Sequence, residues 1–599
     1  MHNNKTNNYD NKDSSSVINR MFSTAMGVFI LTCLISVIGP TIDGIIVGSY
    51  YSVDEVAAIS LTSYLLVGFR TLAASIVATG STLIVSRLIG SGNKKAANRT
   101  FSLSIVLAMG ASCFIALVSI LFADKIAIFL GARGTLSHLM KPTADYLIGY
   151  CLGLPFYTAT VILMPYLKMD GDYRLVTISS IFMTVLDILA DLYVVKCTSG
   201  GLFLIGLATT AGHIGASIII ISHFFLRKTI FHFSLKNIRW AESGQIFRSG
   251  IASGVIKLSS TVCGLLINNI LAVYAAGEVI AAFGVGNQVL KFCFSFWLGA
   301  ASTLMSFTSM FVGEEDAGAL GYVQKIAVRK SLLVTSAAAA LIFLFSGQIA
   351  LLFIRNADPS VIDMAAESIR FFALSMPLNV VIYCFQFYLM GVGRHIFANL
   401  YSFLLELAVP AAVTILLFHL IGYRGVWIAK PVAGIICVLI AFVYIRLQPG
   451  SSMKEKMLML PEGFGFESGE ELCFRADSME DVNGISRVAV AFALENGADA
   501  AQAQNYSLAV EELAGNIVQH GFTDGKAHTI DIRMLVKGQE LILRLRDDCR
   551  RFDPMERYRT ETQFDDNPKK DTGIRLMAGV AKSIKYTGLY GMNNLIIRV

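Results

Sequence analysis

The sequence predicts an all-α polytopic membrane domain of twelve transmembrane helices in two six-helix lobes, followed by a small α/β sandwich domain. Three observations predict it. Of 599 residues, 54% are hydrophobic and 15% charged, with mean hydropathy +0.61, whereas soluble chains carry about 25% charged residues. Twelve apolar segments can be counted, each able to cross about 30 Å of hydrocarbon. From about Pro461 onward charges become dense and long apolar runs vanish, leaving enough chain for one small core.

Residues 1–17 read as a disordered tail, because MHNNKTNNYDNKDSSS has no apolar core and is no cleavable signal peptide. The apolar segments run 18–49, 54–88, 97–122, 142–167, 174–195, 201–226, 246–275, 278–312, 324–354, 368–391, 396–420 and 424–446. Several are over-long, as tilted helices are. Basic residues gather at the even-numbered connections: Arg87, Lys94, Lys95 and Arg99 at the second, Arg227, Lys228, Lys236, Arg239 and Arg248 at the sixth, Lys325, Arg329 and Lys330 at the eighth. That bias places those connections and both termini in the cytoplasm of a multi-pass protein of the cell membrane.

The chain repeats itself. Glu55-Val56-Ala57-Ala58 returns as Glu278-Val279-Ile280-Ala281-Ala282, Arg87-Leu88-Ile89-Gly90 aligns with Met310-Phe311-Val312-Gly313, and Tyr166-Leu167-Lys168-Met169 with Tyr388-Leu389-Met390, all offset by about 222 residues. The lobes are therefore 18–226 and 227–446. A duplicated six-helix unit reads as a two-lobed secondary transporter with substrate between or within the lobes; a duplicated scaffold without transport is the alternative.

Ionisable groups inside a membrane helix cost at least about 2.5–3.5 kcal/mol and are retained for use. Asp43 lies in the first helix, three residues after Pro40, and Asp187 and Asp191 share one face of the fifth at i and i+4. At about 1.5 Å per residue, Asp191 stands roughly 26 Å beyond Arg174 and Asp43 roughly 34 Å beyond Arg20, so all three fall in the outer half of one lobe. Crowded acids in low dielectric can share a proton, and the same oxygens suit Na⁺. A simple wet position at the headgroup boundary is the bland alternative. Lys257, Lys291 and Glu406 in the second lobe allow a Lys–Glu pair facing a cavity, or snorkelling lysines. Arg70 is ambiguous, and His213 reads as a hydrogen-bonded packing residue.

The stretches Ile42-Asp43-Gly44-Ile45-Ile46-Val47-Gly48, Glu55-Val56-Ala57-Ala58, Ser86-Arg87-Leu88-Ile89-Gly90-Ser91-Gly92-Asn93 with Ala96 and Ala97, Met169-Asp170-Gly171-Asp172 and Asp187 through Asp191 resemble the multidrug and toxic compound extrusion (MATE) family over residues 18–446. The resemblance implies a cation-coupled antiporter of two six-helix lobes, exporting multiple drugs or other organic compounds, with Asp43 and Asp191 matching acids used in H⁺ or Na⁺ coupling. Asp187 departs from the family pattern, which has Asn there, and bears on the choice between H⁺ and Na⁺.

Gln448-Pro449-Gly450-Ser451-Ser452 opens a linker, 447–464, and the last domain spans 465–599. Glu471-Leu472-Cys473-Phe474-Arg475 reads as a strand, 479–496 and 500–520 as helices, 528–536 and 540–547 as strands joined at Lys537-Gly538, 573–583 as a helix, and 584–589 and 594–599 as strands. The sum is an α/β sandwich with an antiparallel or mixed sheet. In Ala509-Val510-Glu511-Glu512-Leu513-Ala514-Gly515-Asn516-Ile517-Val518-Gln519-His520-Gly521, Glu512 and Asn516 stand one turn apart. An amide oxygen suits Mg²⁺ beside a substrate's phosphates, and a carboxylate can take a proton. Asp547 ends a strand, where a carboxylate can accept the adenine amino hydrogen, and Asp571-Thr572-Gly573 turns into a helix N-terminus suited to phosphate.

These pieces, with Phe552-Asp553-Pro554, resemble the GHKL ATPase superfamily, most closely its anti-sigma-factor serine kinase branch. The resemblance implies ATP and Mg²⁺ as cofactors, Asn516 on Mg²⁺, Glu512 as general base, Asp547 on adenine, Thr572 and Gly573 on phosphate, and an anti-anti-sigma-like protein partner. Two glycine boxes depart from it: Asp547-Asp548-Cys549 lacks its glycine and Lys570-Asp571-Thr572-Gly573 keeps one. A degenerate domain that binds a protein partner is therefore the alternative.

Net charge +6 without a basic, aromatic-laced stripe excludes nucleic acid as a partner. Ten cysteines without a CxxC pair give no disulfide or zinc framework. No Gly-x-x-x-x-Gly-Lys-Ser/Thr loop is present, so the tail is not a pump motor. Two readings remain: an ion-driven antiporter, for small organic compounds with cations favoured, carrying a regulatory ATP-binding domain; or a membrane-tethered serine kinase or partner-switch sensor with the transporter fold as input.

Overall fold

The computed structural model of the chain describes all residues except 1–15, 133, 199–200, 275–276, 355–357, 462–463, 465–470, 538–539 and 554–580. Eleven helices are long and apolar enough to cross a membrane, and a pair bent by 42° at Gly153 (Ser137–Leu152 and Leu154–Met169) makes twelve when taken as one span. The spans are Ser16–Tyr50, Asp54–Gly90, Lys94–Leu121, the bent pair, Tyr173–Cys197, Leu202–Leu226, Trp240–Leu271, Gly277–Gly313, Ala317–Leu344, Pro359–Val392, His395–Ile421 and Arg424–Arg446. They are called the first to twelfth below. The ninth starts before the expected residue 324 because Asp316 caps it, accepting from the Ala319 amide at 2.8 Å. It stops at Leu344, and Ser346–Phe353 forms a separate short helix. The tenth starts at Pro359, since proline is tolerated in a first helical turn.

The repeat seen in the sequence is a repeat of turns. Gly92 (φ +82°) and Asn93, which caps the third span through Ala96, correspond to Glu315 (φ 55°) and Asp316, which cap the ninth. The glycines just before these turns meet across the lobe boundary. A Cβ on Gly90 would lie 2.3 Å from the Met310 carbonyl, and one on Gly313 would lie 2.1 Å from that of Arg87. Nearby, Ser309 donates to Leu83 O (2.6 Å) and Arg87 Nη2 to Gly391 O (2.9 Å). At mid-depth Lys257 Nζ and Ser253 Oγ donate to Ser75 (2.6 and 3.2 Å), and farther from the tail Gln288 donates to Thr41 (2.8 Å). The lobes thus touch mainly on the tail side, the face that carries Ser16 and the C-terminal domain.

The tail domain is a five-stranded antiparallel sheet, β1 (Glu471–Ala476), β2 (Ile530–Lys537), β3 (Glu540–Asp547), β4 (Ser583–Leu589) and β5 (Met592–Arg598), in the order β1-β2-β3-β5-β4. Two helices, Met479–Glu495 and Ala500–Asn516, cover one face. Each begins with a capping box, Ser478 with Asp481 and Asp499 with Gln502. Their apolar stripes (Val482, Ile485, Phe492; Tyr506, Val510, Leu513) pack on Ile530, Ile532, Leu543 and Leu545. The second helix, expected to residue 520, ends at Asn516 and passes into a π-helical turn, Ile517–Gly521. Most of the helix expected at 573–583 lies outside the described residues, and Ser583 is already in β4. Before the sheet, a short helix, Met453–Leu458, is tied to the second lobe: Tyr388 Oη donates to Leu458 O (2.8 Å) and Arg394 Nη2 to Met459 O (3.1 Å).

The sheet's other face is turned to the membrane part. Ser16 and the Val17 amide donate to Asp531 (3.2 and 3.3 Å), and the backbone amide of Tyr590, between β4 and β5, donates to Met169 O at 2.7 Å. The start of the first span and the C-terminal domain therefore share one side.

Candidate functional site

Asp43, Asp187 and Asp191 come together: one carboxylate oxygen from each lies within 4.8 Å of the others. The first span runs unbroken through Pro40 and packs at Gly39 against Thr184 of the fifth span. Asp191 is 0% exposed and Asp187 9%, so protein encloses these two, against the wet-boundary alternative. Among the described residues, Oδ1 of Asp43, Oδ1 of Asp187 and both oxygens of Asp191 have no hydrogen-bond donor. Buried polar atoms nearly always have partners, and three uncompensated carboxylates in low dielectric cannot all stay ionised without an occupant. A proton shared among them, or a small cation, fits the donor set. The Arg70 guanidinium lies over Tyr150 and Tyr157, 4.8 and 5.1 Å from the ring centroids, with His213 edge-on to Tyr157.

The Lys–Glu pair considered for the second lobe does not form. Glu406 accepts from Tyr383, while Lys257 reaches across the lobe boundary to Ser75 Oγ at 2.6 Å. Lys291 is exposed.

In the tail, Glu512 and Asn516 are half-buried, one turn apart on the helix, and neither side chain has a hydrogen-bond partner among the described residues. That leaves a carboxylate and an amide free for a ligand. Asp547, 5% exposed, accepts from Asn593 Nδ2 (2.7 Å) and the Cys549 amide (2.9 Å). Burial pushes its carboxyl above the ordinary range. Cys549, standing where the resemblance expects glycine, packs on the end of the Asn516 helix: a Cβ on Gly521 would lie 2.9 Å from its Sγ. Thr572 and Gly573, expected at phosphate, lie outside the described residues. The donor set that is described fits Mg²⁺ at Asn516 and adenine at Asp547.

Sequence reasoning missed a second charged cluster. Arg544 and Arg546 of β3 and Arg533 of β2 share the sheet face turned to the membrane part, Arg533 standing opposite Arg544 in register. Asp316 takes ion pairs from Arg544, Arg546 (2.7 Å) and Arg533 (3.4 Å), and Glu314 takes one from Arg546 at 2.5 Å. Arg546 also lies over Phe311, 5.1 Å from its centroid. Burial opposes the charge on Asp316, but the three guanidiniums outweigh it and hold the carboxyl well below the usual range. A signal was present: Glu314-Glu315-Asp316 is an acidic run in a connection that the charge bias marks as basic. On the first lobe, Arg20 pairs with Asp548, Arg551 with Asp170 (3.3 Å) and Lys94 with Asp553 (2.7 Å).

Comparison with known proteins agrees with this architecture. The MatE family profile matches residues 29–192 and 253–414, and that of the histidine kinase-like ATPase domain matches 475–598. The multidrug export protein MepA of Staphylococcus saprophyticus is 23% identical over 440 residues, covering 73% of this chain and 95% of that one; MepA of Staphylococcus aureus is 23% identical over 441. Among solved structures, a MATE protein in complex with MaL6 superposes with TM-score 0.67 at 19% identity, over 73% of this chain and 98% of that one. An outward-facing multidrug resistance MATE family transporter gives 0.67 at 19%, over 72% and 96%. With both six-helix lobes matched by the family and the last domain matched separately, the chain belongs to the MatE family and carries a histidine kinase-like ATPase domain at its C-terminal end.

Proposed function

We propose that the protein is an H⁺- or Na⁺-coupled antiporter that exports small organic compounds, and that its C-terminal domain binds Mg²⁺-ATP and regulates transport. The observation that carries the coupling is the apposition of Asp43, Asp187 and Asp191 with oxygens that lack donors among the described residues. Relatives named as multidrug export proteins support a broad organic substrate class, and acids in the cleft favour cations. The basic even-numbered connections support a cytoplasmic tail side. Asn516, Glu512 and Asp547 support a nucleotide in the tail. The missing Walker loop separates that nucleotide from the work of pumping.

The test is dye efflux from proteoliposomes holding the full chain, driven separately by a proton and by a sodium gradient. Asp43→Asn and Asp191→Asn are expected to lower the driven rate at least about ten-fold, the effect of losing one charge-dependent ion site. Undiminished rates in both variants would remove the trio as the coupling site. Equilibrium binding of Mg²⁺-ATP to the full chain tests the tail, with saturable binding expected and its loss in Asn516→Ala.

A further inference from the structure

We infer that the ATPase-like domain is a clamp on the tail-side gate. It holds the two lobes together there, and opening on that side requires it to let go of the first lobe while staying on the second. The inference rests on the transport reading, in which the lobes must part.

The wedge of the clamp is the turn between β4 and β5. Leu589 pairs with Met592, leaving Tyr590 and Gly591 as a two-residue turn with φ of 55° and 77°. Such turns favour Asn-Gly, and a left-handed tyrosine is strained. Its contacts account for it. Tyr590 is 1% exposed and inserted between the lobes. Its hydroxyl bonds Ser86 Oγ of the second span (2.9 Å), its amide donates to Met169 O of the fourth (2.7 Å), and its carbonyl accepts from Tyr173 of the fifth (3.1 Å). Its ring stacks on Phe307 of the eighth span, in the other lobe, with centroids 5.0 Å apart and an interplanar angle of 23°. This wedge sits beside the Gly90–Gly313 contact, where the lobes already touch.

A hydrogen-bonded sheet does not stretch, so lobes held by one sheet cannot separate until one set of contacts breaks. The two sets differ. On the second lobe, Arg544, Arg546, Asp316 and Glu314 are 2%, 1%, 4% and 0% exposed, and breaking such buried pairs is costly. The linker helix is tied to the same lobe through Tyr388 and Arg394. In the pairs to the first lobe, the cations Arg20, Lys94 and Arg551 are 36%, 42% and 33% exposed while their partners Asp548, Asp553 and Asp170 are 7%, 12% and 2% exposed, and such half-solvated pairs cost less to break than pairs buried on both sides. The weaker set therefore yields first. Three of its members, Asp548, Arg551 and Asp553, follow directly on Asp547, the candidate adenine residue, which puts the releasing contacts beside the candidate nucleotide pocket.

The experiment is pulsed dipolar spin-label spectroscopy on the full chain in nanodiscs, with exposed Cys113 and Cys197 replaced by serine. Labels at Lys95→Cys and Lys325→Cys report the tail-side gap between lobes; Glu480→Cys with each reports where the domain sits. Tyr590→Ala, and separately Lys94→Asp, are expected to raise the population with a long Lys95–Lys325 distance about ten-fold, as loss of one docking contact does in a two-state equilibrium. The Glu480–Lys325 distance should stay unchanged. Adding Asp553→Lys to Lys94→Asp should restore the closed population, which a merely misfolded variant would not do. An unchanged Lys95–Lys325 distribution in both variants overturns the clamp, as does a long population in which Glu480 follows Lys95. The distances need neither substrate nor gradient. Absence of driven dye flux in every preparation would therefore strike the transport reading alone, and unaltered distances with intact flux would strike the clamp alone.

Discussion

Arg546 of the tail and Glu314 of the turn between the eighth and ninth spans meet across the domain boundary, Nη2 to Oε2 at 2.5 Å, with side chains 1% and 0% exposed. Neither residue is a surface group. Removing Arg546 leaves Glu314 buried without its ion-pair partner, at a cost of about 3–5 kcal/mol, whereas removing Glu314 leaves Arg546 paired with Asp316 (2.7 Å) and costs less. Arg546→Met or Glu314→Gln should therefore lower the thermal midpoint of the tail and expose the linker to protease. The double variant, Arg546→Met with Glu314→Met, should lose less than the sum of the singles. Additive losses in a double-mutant cycle would show that the pair is not coupled.

Asp531 and His528, together with the buried Asp547, contribute to the pH response of the docked tail above about pH 4. Burial beside the first span pushes Asp531 up to about 7. Burial opposes the charge on His528, but hydrogen bonds from its two ring nitrogens to Asp548 (3.0 Å) and Asp524 (2.6 Å) outweigh it and raise the imidazole above its ordinary 6.5. Both groups hold protons more tightly folded than unfolded. The stability each contributes is full below its unfolded value and is lost as pH rises through its folded one. The tail's melting temperature should fall from pH 5 to pH 9. Asp531→Asn should flatten the part below about pH 7, and His528→Asn the part above. Asp316, held low, acts in the opposite sense and only at more acid pH.

The glycine contact between the lobes admits no side chain. Gly90→Ala or Gly313→Ala would place a methyl about 2 Å from a carbonyl of the other lobe, an overpacking strain of about 1–3 kcal/mol. Both variants should move the spin-label distances toward an open tail side without touching the acids. Gly44→Ala, with no atom within 4 Å of its Cβ, is the control expected to do neither.

Asp187 departs from the asparagine expected by resemblance to the family, and in the structure it belongs to the acid trio. Asp187→Asn should keep driven efflux within about three-fold while changing its dependence on external pH relative to sodium, since one acid fewer alters how the site shares protons. A loss as deep as that of Asp191→Asn would make Asp187 indispensable rather than tuning.

Asn593 holds Asp547 through its amide at 2.7 Å and also donates to Cys549 O at 3.1 Å. Asn593→Ala removes the orienting donor and leaves Asp547 Oδ1 with the Cys549 amide alone, a lost hydrogen bond to an acid worth about 1.5–3 kcal/mol. The affinity for Mg²⁺-ATP should fall about ten-fold or more, with the Mg²⁺ dependence retained. Asn516→Ala should instead abolish that dependence. Titration calorimetry with and without Mg²⁺ separates the two.

Much of the candidate site was legible because it rests on local periodicity. Asp187 and Asp191 must share a helix face, as must Glu512 and Asn516, since a turn repeats every 3.6 residues. The packing of Cys549 against Gly521 was not legible, because it joins a strand end to a helix end. Nor was the partner of Glu406, which is Tyr383 of another span rather than a lysine.

Hydrophobic length and charge bias determined the twelve spans, the duplicated unit and the change to a polar tail, since each depends on what a short stretch of chain can leave in lipid or water. The strands β2 and β3 were also readable from their alternation. Their outward arginines, Arg533, Arg544 and Arg546, look in the sequence like a solvated face. Only the tertiary structure decided that this face is buried against Glu314 and Asp316, and that Tyr590 stands between the lobes. Alternation fixes which side chains share a face. What covers that face depends on contacts more than 200 residues apart in the chain, and no local pattern encodes them.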